Sequence, residues 1–255
     1  MELTKKERTL LLHQFLDIGE MMLSIGAEVK RVEDTLTRMG TAYGASRMNV
    51  FVITSSIVVT MAFPDEMELT QTRRILSPGG TDFIKLEQLN DLSRRCCEHP
   101  LTVCQLQDEL RQLRESKPSK PMVYVGSVLA AGGFAVFFGG NVWDGLAASI
   151  FALIICLLQD TLETICPNKV IFNLLCSLLV GCGICGCVRL VPGLHMDKIM
   201  IGDIMLLIPG IAMTNSVRDV LVGDTISGIM RLIETLLWAS ALACGFMISI
   251  WLIGG

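Results

Sequence analysis

IMIGDIMLLIPGIAMTNSVRDVLVGD (Ile199–Asp224) is the stretch whose reading decides this chain. Its apolar part, residues 199–217, is 19 residues long, close to the ~20 that a helix needs to cross a bilayer. Yet it carries Asp203, a Pro209-Gly210 break, and then Thr214, Asn215, Ser216, Arg218 and Asp219. A plain anchor needs none of these. A carboxylate at the bilayer centre costs about 2.5–3.5 kcal/mol on insertion scales, so such a group faces a bundle interior or an aqueous cavity. Proline removes a helical hydrogen bond, and interrupted helices of this kind line binding sites in transporters. The stretch therefore reads as part of a translocation path.

Working outward, the charge is unevenly spread. The chain has 255 residues, 51% hydrophobic and 18% charged, with a net charge of −4. Soluble domains average about 25% charged. Lys and Arg number 16 in residues 1–120 and 5 afterwards; Asp and Glu number 17 and 8. This pattern predicts a soluble domain fused to a membrane domain. No basic run is interleaved with aromatics, so nucleic acid is not an expected partner. The opening MELTKKERTLLLHQ lacks a cleavage site, and Asp17 and Glu20 follow, so a cytoplasmic N-terminal domain with reduced cysteines is expected.

In residues 1–115 the periods are mixed. Residues 3–25 and the segment after Gly26 have helical spacing, with Gly40 and Gly44 closing the second helix. Asn49–Phe63 is rich in β-branched residues and reads as two short strands, or one bulged strand, interrupted near Ser55-Ser56. A third strand is expected over 67–76, a loop at Ser77-Pro78-Gly79-Gly80, and helices over 82–98 and 101–114. Residues 116–121 (SKPSKP) form a linker. From 122 to 255, five transmembrane helices are expected at about 122–138, 142–160, 170–188, 199–217 and 231–253. The fold class is thus membrane α-helical with an N-terminal α+β cytoplasmic domain. Arg111, Arg114, Lys117 and Lys120 flank the first span and favour a cytoplasmic N-terminus under the positive-inside rule. Five spans would put the termini on opposite sides. Pro209 is the one proline of eight that falls inside an expected span.

Three segments carry a resemblance to a known family: GAEVKRVEDTLTRMGTAYG (26–44), NDLSRR (90–95) and LIPGIAMTNSVRDVLVGDTISGIMR (207–231). In these motifs and their order the chain resembles the threonine/serine exporter family. The resemblance implies export of small hydrophilic metabolites, driven by an ion gradient such as the proton motive force rather than by ATP. Full-length members carry about ten membrane helices. A chain with five resembles the split form, which implies a partner: a small multi-pass membrane protein supplying the remaining helices. For split members the resemblance also implies a dicarboxylate such as succinate as substrate, besides threonine and serine. Location in the cell membrane and contact with membrane lipid follow, and a higher oligomer is compatible with this reading.

The candidate pathway residues are Asp203, Pro209, Gly210, Thr214, Asn215, Arg218 and Asp219. Asp203 is read as the site of a coupling proton, against a hydrated carboxylate near the membrane surface. On an unbroken helix Asp203, Gly210 and Thr214 would share a face. Asn215 and Asp219 are four apart and can meet. Arg218 offers a planar fork to a substrate carboxylate, against a solvated Arg-Asp pair at a helix end. Glu28, Arg31, Glu33 and Asp34 carry the resemblance's helix motif and are read as a gate or docking surface, against ordinary surface ion pairs such as Lys30 with Asp34. Asp144 and Glu234 are read as solvated span ends. Cys182, Cys185 and Cys187 imitate metal spacing but lack a fourth ligand, and His13, His99 and His195 form no constellation in sequence. No metal, cofactor or catalytic residue is therefore expected, and no Walker-type loop supports ATP coupling. The competing classes are a membrane-tethered enzyme or sensor, and a scaffold for a partner transporter.

Overall fold

The computed structural model describes residues 4–75, 80–116, 119–166 and 168–254, without the side chains of 163–165. The expected loop residues 77–79, linker residues 117 and 118, and the side chain of Glu163 lie outside the described residues. The chain divides into two compact units: Met1–Lys117 with Ile211–Leu232, and Pro118–Gly210 with Ile233–Gly255. The division passes through the Pro209-Gly210 stretch as well as through the linker.

The first unit opens with α1 (Lys5–Ser24), started by a capping box in which Thr4 and Glu7 satisfy each other's backbone donors. Gly26, at φ +88°, makes the turn into α2 (Val29–Ala42). Glycine is needed there because an L side chain is strained at that φ. Gly40 was expected to end α2, but it lies inside the helix and is buried. The Met48 side chain packs over it, where any Cβ would collide. The helix instead ends at Tyr43, with Gly44 at φ +91°.

The β-branched stretch forms two strands, β1 (Arg47–Ile53) and β2 (Ser56–Ala62), turning near Thr54-Ser55. With β3 (Glu68–Arg74) they make an antiparallel sheet in the order β1-β2-β3. Pairing such as Val50 with Val59 and Val59 with Gln71 fixes the register. That register turns Ile57, Val59 and Met61 of β2 inward, all at 0% exposure. They join Leu11, Leu12, Phe15 and Leu16 of α1 and Val32 and Leu36 of α2 in one core. Two further helices, α3 (Phe83–Glu98) and α4 (Val103–Glu115), complete it through Leu89, Leu92 and Leu106.

The apolar segments form α5 (Lys120–Phe137), α6 (Val142–Ile165), α7 (Lys169–Leu190), α8 (Met196–Leu207), α9 (Gly210–Val222) and α10 (Thr225–Ser249), ending in a π turn at Ile250–Gly254. Four of these helices are long and apolar enough to cross a membrane, or five spans if the bent pair α8 and α9 counts as one. Small residues let the helices of the second unit approach closely. A Cβ on Gly202 of α8 would stand 2.5 Å from the Ala131 carbonyl of α5 and 3.1 Å from the Ala135 Cβ. A Cβ on Gly245 would meet the Ser177 hydroxyl, and one on Gly181 the Ser249 hydroxyl. Both hydroxyls are donated to carbonyls of their own helices, Ser177 to Asn173 at 2.7 Å and Ser249 to Phe246 at 2.7 Å. Outward-facing side chains are large and apolar, among them Leu129, Phe137, Trp143 and Trp251.

Candidate functional site

Asp203 sits on α8 in the second unit. Beside it, Gly202 brings α8 against α5, where Ala131 and Ala135 are themselves fully buried. Asp203 is 0% exposed, and neither carboxylate oxygen has a hydrogen-bond partner among the described residues. Buried polar groups are almost always paired, so an orphan carboxylate calls for a reason. Among the described residues no donor is committed to it. Such a group can take up and release a proton or a cation.

The break at Pro209 ends the shared helical face after Leu207. The Ile208 backbone is extended (ψ 130°) and α9 starts afresh at Gly210. Thr214 is exposed on α9.

The other pathway candidates belong to the first unit, together with the N-terminal helix motif. The Asn215 amide donates to the Gly26 carbonyl at 3.0 Å, across 189 positions of sequence. Arg218 pairs with Glu28 at 2.6 Å. Asp219 is 2% exposed and pairs with Arg231 at 3.1 Å, and the Val29 N–H also bonds to its carboxylate. Glu28, at the N-cap of α2, gives that helix no side-chain cap. A carboxylate from α9 therefore stands at the first turn of α2, where the helix macrodipole favours negative charge.

The remaining motif residues have separate duties. Asp34 pairs loosely with Lys30 at 3.8 Å on the surface. Arg31 lines a cavity of about 510 Å³ with Lys30, Asp34 and Arg38, Arg94 of α3 and Arg218 of α9.

Glu33 accepts the Val52 N–H at 3.2 Å and ties α2 to β1. Burial raises the Glu33 carboxyl above its ordinary 4.5; the Val52 bond opposes the rise and Asp224 adds to it. The folded chain thus holds this proton to higher pH than the unfolded chain. The stability linked to it is full below the ordinary value and is lost as pH rises through the raised one. Glu33→Gln keeps an oxygen for Val52. Its unfolding midpoint is expected to stay level over the window just above pH 4.5 where the unsubstituted chain declines; thermal unfolding across a pH series checks this.

Two residues escaped the sequence reading. Asp144, read as a solvated span end, is fully buried. It accepts the Asn141 N–H at 2.8 Å, the His195 N–H at 2.7 Å, and lies 2.9 Å from the His195 ring Nδ1. It therefore closes a capping box on α6 and also holds the start of α8. The Asn-x-x-Asp spacing of residues 141–144 was the available signal for the cap; nothing local pointed to His195, 51 positions away. Arg231 was given no role in the sequence, and its pairing with Asp219 spans 12 positions and the turn after α9. Among the described residues no group of three His, Cys, Asp or Glu side chains is placed to hold a metal ion.

Residues 13–253 match the family described as "Putative threonine/serine exporter". The chain belongs to the threonine/serine exporter family. Every candidate residue above falls inside the matched range. A "Probable threonine/serine exporter" of Mycobacterium tuberculosis is 23% identical over 239 residues, covering 91% of this chain and 44% of that protein. A "Probable succinate transporter subunit YjjP" of Klebsiella aerogenes is 22% identical over 233 residues, covering 91% of this chain and 89% of that protein. The chain thus spans less than half the length of the first relative and most of the second. No solved structure matches it. Family membership and four to five membrane-length helices make this exporter-family chain a multi-pass membrane protein.

Proposed function

We propose that this chain is one subunit of a secondary exporter of small hydrophilic metabolites, threonine and serine or a dicarboxylate such as succinate, driven by the proton motive force. The observation that carries the reading is Asp203: a fully buried carboxylate with no donor among the described residues, on a helix that breaks six residues later at Pro209. Intramembrane carboxylates of this kind serve proton relays and ion paths. The pathway residues Pro209, Gly210, Thr214, Asn215, Arg218 and Asp219 follow on the far side of the break. Glu28, bonded to Arg218, links them to the N-terminal helices, which we place in the cytoplasm as a gate.

A partner supplying further membrane helices is supported by the name of the Klebsiella relative, a transporter subunit, and by the coverage of the longer Mycobacterium protein. Metabolite efflux from cells lacking this chain, the partner, or both tests the reading. Efflux is expected to fall equally in all three strains. Undiminished efflux without this chain would refute it, and efflux sustained by the partner alone would reduce the chain to a scaffold.

A further inference from the structure

Most arginines of the first unit are neutralised in place. Arg8 pairs with Asp65, Arg47 with Glu68, Arg73 with Asp17 and Glu20, Arg95 with Asp91 and Glu109, Arg111 with Glu115, and Arg114 with Asp17. Arg218 and Arg231 have Glu28 and Asp219. Among the described residues four arginines of this unit, Arg31, Arg38, Arg74 and Arg94, have no carboxylate oxygen within salt-bridge distance. Three of those four line one cavity.

That concentration is a cost unless something offsets it. Like charges facing one concavity repel, and the concavity focuses their field on whatever enters. Two carboxylates share the lining: Glu28 is held by Arg218 at 2.6 Å, and Asp34 pairs loosely with Lys30 at 3.8 Å. The cavity's 510 Å³ lies in the range of small-ligand sites. Arg31 and Arg38 are seven residues apart on α2, two turns or about 10 Å along the axis, and Arg94 comes from α3. Two helices thus contribute three guanidinium forks to one cavity. Each is shaped to meet a carboxylate or phosphate by two hydrogen bonds.

We propose that this cavity is a binding site for a small polyanion, a dicarboxylate or a phosphate, held by Arg31, Arg38 and Arg94. A zwitterion without net charge would gain little there. The proposal does not depend on which solute crosses the membrane. With the N-terminal unit in the cytoplasm, as proposed above, the site would register the internal concentration of that anion.

Titration calorimetry on the purified full-length chain in detergent tests it, with succinate, inorganic phosphate and threonine as separate probes at constant ionic strength. Saturable binding of succinate or phosphate is expected, and none of threonine. Arg38→Gln and Arg94→Gln are each expected to weaken it about tenfold, the loss of one charge-assisted contact. Arg74→Gln, a like charge removed outside the cavity, is expected to leave it unchanged. Arg94→Lys, which keeps the charge but not the fork, should fall between. Binding of succinate alone identifies a dicarboxylate site and binding of phosphate alone a phosphate site. Absence of saturable binding of both, or binding that Arg74→Gln weakens as much as Arg38→Gln and Arg94→Gln do, would overturn the proposal. The three substituted side chains are exposed, and an unchanged circular dichroism spectrum confirms that each variant is folded. Efflux lost in Asp203→Asn while this binding persists would separate the two sites.

Discussion

Asp203→Asn is expected to lower efflux by on the order of 100-fold or more, the scale lost when a positioned proton carrier is removed. Asparagine has nearly the shape of aspartic acid and cannot carry the proton. The Asp203 side chain is fully buried, so an isosteric change is the cleanest probe. The same substitution should favour the fold. A carboxylate placed in a membrane interior costs about 2.5–3.5 kcal/mol on insertion scales. Neither oxygen of Asp203 recovers that cost through a hydrogen bond among the described residues. The variant should therefore unfold in detergent at the same temperature as the unsubstituted chain, or above it. Asp203→Glu restores a titratable group with one extra methylene and is expected to recover part of the flux. Efflux from proteoliposomes holding this chain and its partner, beside a thermal melt of each variant, gives both readings. Retained efflux in Asp203→Asn removes the residue from the mechanism, and a lowered melting temperature would make it a packing residue.

Arg231→Ala is expected to destabilise the first unit by about 3–5 kcal/mol, the usual consequence of leaving one charge of a buried pair uncompensated. Arg231 is 12% exposed at the side chain and Asp219 2%, with 3.1 Å between them. Truncation strands the Asp219 carboxylate in a site that also receives the Val29 N–H. The double variant Asp219→Asn with Arg231→Met should recover most of the loss, because removing both charges of a buried pair is often close to neutral. Denaturant unfolding of Asp219→Asn, Arg231→Met and the double gives the coupling energy. Equal losses in Arg231→Ala and in the double would show that the stranded Asp219 charge is not what destabilises the single variant. The neighbouring Arg218–Glu28 pair makes a useful contrast: Arg218 is 61% exposed, and exposed pairs contribute about 1 kcal/mol or less.

Several features were legible in residue order because their cause is local. The two strands of Asn49–Phe63 follow from β-branched composition and a polar interruption. The helix break follows from Pro209, which cannot donate to the preceding turn. Membrane-length helices follow from apolar runs, and the family from three motifs that recur in order. Gly40 was misread as a helix end because nothing nearby announces that Met48 packs over it. Asp144 was misread because its proximity to a span end is a fact of sequence, whereas its partner His195 comes from the start of α8, 51 positions away.

By itself, then, the sequence determined the helical periods, the uneven charge, the break at Pro209-Gly210 and the exporter family, all carried by composition and near-neighbour order. Only the tertiary structure decided that the stretch Ile199–Asp224 is shared between two compact units. Asp203 is orphaned in one; Asn215, Arg218 and Asp219 are bonded to Gly26, Glu28 and Arg231 in the other. It alone gathered Arg31, Arg38 and Arg94 around one cavity. The physical reason is common to these cases. A side chain's charge is written in the sequence, but what offsets that charge depends on partners many residues away, and only folding brings them within a few ångströms.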